Sequence, residues 1–224
     1  MKECIVRLVN GPEIKRLIKT RGSYLVYRKF DENLSLVVVK KPTYWEDMNT
    51  EFIKPDDLVC VTDQDDIDID SFIDEALAYT MSKMPPRLFS AQRIEDKDLL
   101  LSGRFMDADY LYDYRFAIFG IELGKKGARL THTGWFGGAV ALFYPGVAKR
   151  LSSLMQGDFF ATFPSLNEVR IHPTYTTNAY EVHEAIRSWN AARDKSLLYK
   201  SITNSVYRYC ASRQEFQEVA YPDW

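Results

Sequence analysis

"GARLTHTGWFGGAVALFYPGVAKRLSSLMQGDFFATFPSLNEVRIHP", residues 127–173, sets the class of fold. "ARLTH" (128–132) alternates apolar and polar side chains, the period of a half-buried strand. "WFGGAVALFY" (135–144) reads as a second strand paired to it across Thr133-Gly134. Gly137 and Gly138 there permit a bulge or the close approach of a neighbour. Pro145 stands where a first helical residue can be proline. Val147, Ala148, Leu151, Leu154 and Met155 then recur at helical spacing, and Gly157 ends the helix. "DFFATF" (158–163) and "EVRIH" (168–172) are two further strands, joined around Pro164-Ser165. Two strands, a helix and two strands cannot be a regular βαβ array. The pattern predicts an α+β fold, an antiparallel sheet with helices packed on one face.

The flanks extend that pattern. Downstream, Asn178 with Glu181 makes a capping box, and Val182, Ile186 and Trp189 form the stripe of the helix it opens. His183 reads as a surface residue of that helix, paired with a neighbouring charge. "SVYRYC" (205–210) and "EFQEVA" (215–220) are closing strands. Upstream, "YRFAIFGIEL" (114–123) is apolar on both faces, as a central strand would be. Phe72, Ile73, Ala76, Leu77, Thr80, Met81 and Met84 mark a helix capped by Asp70 or Ser71 and stopped by Pro85-Pro86. "ECIVRLV" (3–9) is a strand, Gly11-Pro12 punctuates, and "EIKRLIKT" (13–20) is a short helix with Ile14, Leu17 and Ile18 on one side. "SYLVYRKF" and "LSLVVVKK" form a hairpin about Asp31-Glu32-Asn33. Residues 41–58 lose periodicity. A small N-terminal strand-helix-hairpin subdomain is therefore expected over 1–58, and a main domain over 59–224.

Composition narrows the chemistry. The 224 residues are 46% hydrophobic and 14% aromatic, enough for a sizeable core. Basic and acidic residues, 29 against 31, nearly cancel, so nothing predicts a nucleic-acid or anionic-membrane partner. Lys125, Lys126 and Arg129 are too few to carry phosphate binding. Cys4, Cys60 and Cys210 are odd in number and far apart, which suits reduced thiols in the cytoplasm. Charges at Glu3, Arg7 and Glu13 interrupt any signal-peptide core, and nowhere do about 18 apolar residues run together. A cytoplasmic protein with no membrane partner is expected.

Several motifs begin and fail. "DQDDIDID" (63–70) lacks the oxygen, glycine and glutamate that a calcium loop needs at its later positions, so it reads as acid at a helix start. His183 would need a second histidine at 187 to bind zinc, and that residue is Arg187. Gly134, Gly137 and Gly138 fit neither a P-loop nor a dinucleotide fingerprint. There is no G-x-S-x-G elbow. No metal or cofactor is predicted. His132 reads as a hydrogen-bonded, half-buried histidine, and Arg170 and His172 as neighbours on an outward sheet face. The binding candidates are Tyr110, Tyr112 and Tyr114 in "DADYLYDYRF" (107–116), with Trp135, Arg170, His172 and the terminal Trp224.

Residues 85–190 also carry a resemblance. "PPRLFSAQRI" (85–94) is followed by Tyr144-Pro145-Gly146-Val147, Gly157-Asp158-Phe159, Pro164-Ser165 and Glu168-Val169. This layout resembles an uncharacterised domain family of gut clostridia and their mobile elements. Its C-terminal block runs through L-Y-P-G-V, G-D-F/L-Y-I-L-P-S-S and H-E-V segments. "IVRLVNGPEIKRLI" and "NSVYRYC" are similar to its earlier and later parts. Asn167 stands where the family has histidine, which speaks against catalysis in that turn. The resemblance supplies no activity; the missing catalytic constellation, the near-neutral charge and the tyrosine-rich segment point to an accessory or anti-defence factor of a mobile element. The first expectation is a non-catalytic protein-interaction factor. The alternatives are a small-ligand sensor near His132, Gly137 and Gly138, and an enzyme uniting His132, Glu168, Arg170 and His172 in one cleft.

Overall fold

One carboxylate turns the first hairpin. Asp31 Oδ1 accepts the N–H groups of Asn33 and Leu34, each at 2.7 Å. This closes β2 (Tyr27–Lys29) onto β3 (Leu34–Lys40), as the sequence predicts. β3 also pairs antiparallel along the whole of β1 (Cys4–Asn10), so the three-stranded order is β1-β3-β2. A computed structural model provides this description and covers residues 4–22, 25–40, 68–89, 127–132, 137–193 and 202–221.

Asn10 ends β1 and caps α1 (Gly11–Arg21), its Oδ1 accepting from Glu13 N at 2.9 Å. Gly11 and Pro12 thus open the helix and do not separate it from the strand. A side chain at Gly11 would lie 2.7 Å from the Glu32 carbonyl oxygen. Ile5, Val9, Ile14, Leu17, Leu25, Val37 and Val39 form the core between this helix and the sheet. Ile18, on the edge of the expected stripe, stays exposed.

Helix α2 (Ile69–Lys83) is capped by Asp68, two or three residues before the Asp70 or Ser71 expected, through bonds to Asp70 N and Ser71 N. Its buried stripe is Ile73, Ala76, Leu77 and Thr80. The Thr80 hydroxyl donates to Ala76 O at 2.6 Å and accepts the N–H of Val6 at 2.9 Å, so α2 satisfies the outer edge of β1. The helix therefore belongs with the first sheet. The chain divides into two compact units, Met1–Met84 and Pro85–Trp224, with the division later than the 58/59 position expected. Residues 41–58 lie outside the described residues.

The second unit is built on a six-stranded antiparallel sheet, β4 (Pro86–Phe89), β5 (Ala128–His132), β6 (Phe159–Ser165), β7 (Glu168–Pro173), β8 (Val206–Cys210) and β9 (Glu215–Val219), in the order β4-β5-β7-β6-β8-β9. The α+β class stands. "YRFAIFGIEL" lies outside the described residues.

The apolar run after β5 does not form the strand expected. Gly137, at φ 79°, takes the left-handed conformation, and Gly138–Phe143 follows as a 3-10 helix. A side chain at Gly138 would stand 1.9 Å from Thr131 Oγ1 and 2.5 Å from Asn167 O, so the backbone itself packs on the sheet. Ala139, Val140, Ala141 and Leu142 are all buried, which is why the run is apolar throughout. Gly146, at φ 78°, precedes α3 (Val147–Leu154), so Pro145 lies outside the helix and not in its first turn.

β6 and β7 turn at Leu166-Asn167, two residues beyond the Pro164-Ser165 expected, because Ser165 still pairs with Glu168. α4 (Ala179–Arg193) begins at the predicted capping box: Glu181 N donates to Asn178 Oδ1 at 2.9 Å, and Asn178 N to Glu181 Oε2 at 3.4 Å. Its Val182 and Ile186 bury against Phe160 and Val206. On the other face of the sheet Phe159 stacks on Tyr209, Phe163 meets Tyr207 edge-on, and Phe143 of the 3-10 helix stacks on Phe163. Every residue of β6 is buried, so the expectation of helices on one face extends to cover on both.

Candidate functional site

Alternation along β7 puts Glu168, Arg170 and His172 on one face, and the register places Arg129 of β5 opposite Arg170. Glu168 is nearly buried between two guanidinium groups. Its Oε1 accepts from Arg170 at 2.8 and 3.2 Å, and its Oε2 lies 3.1 Å from Arg129 Nε. The Arg170 guanidinium lies 5.0 Å from the centre of the half-buried Trp189 ring on α4. One carboxylate thus holds two cations, and the tryptophan closes the cluster.

His172 completes the row but is 2% exposed. Its ring fills the space beside Gly127, where a Cβ would come within 2.6–2.8 Å of three ring atoms. Burial, reinforced by the charge of Arg170, pushes its pKa down to about 4. It is therefore neutral near pH 7. The expectation that Arg170 and His172 face solvent together is corrected here. α4 covers their side of the sheet, and polar alternation in β7 reports an internal ion cluster. His132 alternates onto the opposite side, with Ala128 and Leu130, and is 3% exposed where half-burial was expected. The four residues proposed for one cleft are therefore split by the sheet.

A second constellation lies on α4. Tyr180, His183, Glu184 and Arg187 occur at i, i+3, i+4 and i+7, one face of a helix, and all four meet Tyr221 beyond β9. The Tyr221 hydroxyl donates to Glu184 Oε1 at 2.8 Å. Arg187 lies 5.0 Å from the centre of the phenol ring, His183 meets it edge-on at 5.1 Å, and Tyr180 at 6.1 Å. His183 is buried, contrary to the surface position expected of it. Its Nε2 lies 3.1 Å from Val219 O, so that nitrogen carries the proton. Burial lowers its pKa, with Arg187 acting in the same sense, while the Val219 bond, Glu218 and Glu184 act against them. The bond to Glu184 raises the pKa of Tyr221.

Tyr180, at the edge of this clasp in the first turn of α4, stays 45% exposed, and Tyr175, in the turn before the helix, is 66% exposed. Sequence reasoning passed over both. The signal for Tyr180 was its place off the stripe of Val182, Ile186 and Trp189. Tyr221 has no such signal, since its partners lie more than thirty residues earlier.

Of the binding residues expected, Tyr110, Tyr112, Tyr114, Trp135 and Trp224 lie outside the described residues, as do Lys125 and Lys126. Arg129 of that basic group is paired with Glu168. Among the described residues no three His, Cys, Asp or Glu side chains are grouped to hold a metal ion. Cys4 and Cys210 are in no disulfide. No described helix is long and apolar enough to cross a membrane. No family model, no curated protein and no solved structure matches the chain.

Proposed function

We propose that the chain is a non-catalytic protein-interaction factor whose contact surface is the outer face of α4 with the turn that precedes it. The observation that carries this reading is the exposure of two large amphipathic rings, Tyr175 in the turn before α4 and Tyr180 in the first turn of this capped helix. Tyrosine buries much area at low entropic cost, which is why it is enriched where proteins meet. The face is anchored from beneath by Val182 and Ile186, so it is presented without a further ordering step. The same proposal includes an accessory role in a mobile element, of anti-defence type, the resemblance contributing only the mobile-element setting.

Affinity capture from a host lysate, run in parallel with the intact chain and a Tyr175→Ala/Tyr180→Ala double variant, tests the reading. A partner retained by the first and lost by the second supports it. Equal recovery on both, or turnover in an unbiased substrate screen, counts against it.

A further inference from the structure

The clasp around Tyr221 is chemically specific. A residue that merely packs down requires apolar area. Tyr221 instead has each chemical feature of a phenol matched separately: Glu184 accepts the hydroxyl proton, Arg187 sits over the ring face, and His183 and Tyr180 flank it. Arg187 Nη1 also lies 4.0 Å from Glu184 Oε1, which sets the cation and the acceptor relative to one another. All four groups project from one face of α4, so the helix itself sets their spacing.

We propose that Tyr180, His183, Glu184 and Arg187 form a binding notch for a tyrosine side chain, filled in this structure by the chain's own Tyr221 and available to a tyrosine-bearing segment of a partner. This rests on the interaction reading above and names the chemistry of the partner. Tyr221 is tethered through Val219, whose carbonyl bonds His183, so it competes at the high effective concentration of an intramolecular ligand. A partner tyrosine displaces it only by making further contacts beside the notch. The half-exposed ring of Tyr180 is the group at the notch available to receive them.

The test titrates N-acetyl-tyrosinamide into the full chain carrying Tyr221→Ala and follows backbone amide resonances of residues 180–187. Saturable shifts are expected in the variant and none in the unsubstituted chain at the same concentrations. N-acetyl-phenylalaninamide should bind at least about fivefold more weakly, the effect of one net hydrogen bond. Adding Glu184→Gln to the variant should weaken the tyrosinamide similarly. Absence of saturable shifts, equal shifts in both chains, or equal affinity for the two amides would overturn the proposal. If Tyr221→Ala unfolds the chain, Tyr221→Phe takes its place: the cis occupant is weakened by its hydroxyl alone, and saturable tyrosinamide shifts are again required. A partner captured through Tyr175 and Tyr180, with no tyrosinamide binding to the variant, removes the notch and leaves the interaction surface. Tyrosinamide binding with no captured partner does the reverse.

Discussion

The hydroxyl of Thr80 accepts the N–H of Val6 at 2.9 Å, so a helix side chain does for the edge of β1 what a neighbouring strand would otherwise do. Both residues are buried, and water cannot replace the bond. Thr80→Val keeps the shape and removes the oxygen, leaving that N–H without a partner. The expected cost is about 1–3 kcal/mol in urea unfolding of the first unit, with Thr80→Ser retaining most of the stability.

Gly138 is fixed by contact and not by conformation. Its Cβ position is 1.9 Å from Thr131 Oγ1 and 2.5 Å from a backbone oxygen, which has little room to retreat. Gly138→Ala should destabilise the second unit by about 1–3 kcal/mol. Gly137→Ala meets nothing within 4 Å and is strained only by its φ of 79°, so it should cost less. A pair of melting curves separates the two.

Glu168→Gln removes the carboxylate charge that Arg129 and Arg170 share. Removing one member of a buried ion cluster costs about 3–5 kcal/mol, and the partial exposure of Arg129 lowers the expectation to about 2–3 kcal/mol. Arg170→Met, which fills the volume under Trp189, should cost less. Denaturant midpoints of the two variants should differ in that order.

His172 predicts a specific pH dependence. Its pKa in the folded chain, about 4, lies below the ordinary value of 6.5, so the unfolded chain binds the proton more readily. The histidine contributes its full stability above pH 6.5, and that stability is lost as the pH falls toward 4. Two and a half pH units at about 1.4 kcal/mol each give an upper figure of about 3 kcal/mol. His183 is shifted in the same direction. Unfolding free energies measured from pH 7 to 4.5 should fall, and His172→Gln should flatten most of that slope.

The parts of this fold that sequence made legible are those whose causes are local. The turn at Asp31, the capping box at Asn178 and the paired strands on either side of each hairpin depend on residues within a few positions of one another. The 3-10 helix is not legible because an apolar run buried on every side looks the same as a central strand, and only the packing of Gly138 on Thr131 separates them. Glu168, Arg170 and His172 alternate as an exposed face would. Their burial is decided by Trp189, from a helix that the period of β7 does not report. The notch on α4 is half legible: its helix face follows from spacing, while its occupant arrives from beyond β9 with no pattern linking the two.

The order of the sheet also bears on how the chain leaves the ribosome. β6 lies between β7, which follows it at once, and β8, which is made some forty residues later. Until residues 206–210 emerge, the nascent polypeptide presents one unpaired flank of a strand rich in phenylalanine, the kind of surface that sticks to its neighbours. A chain that stops before residue 206 should therefore aggregate under conditions in which the full chain does not, a difference that light scattering would read.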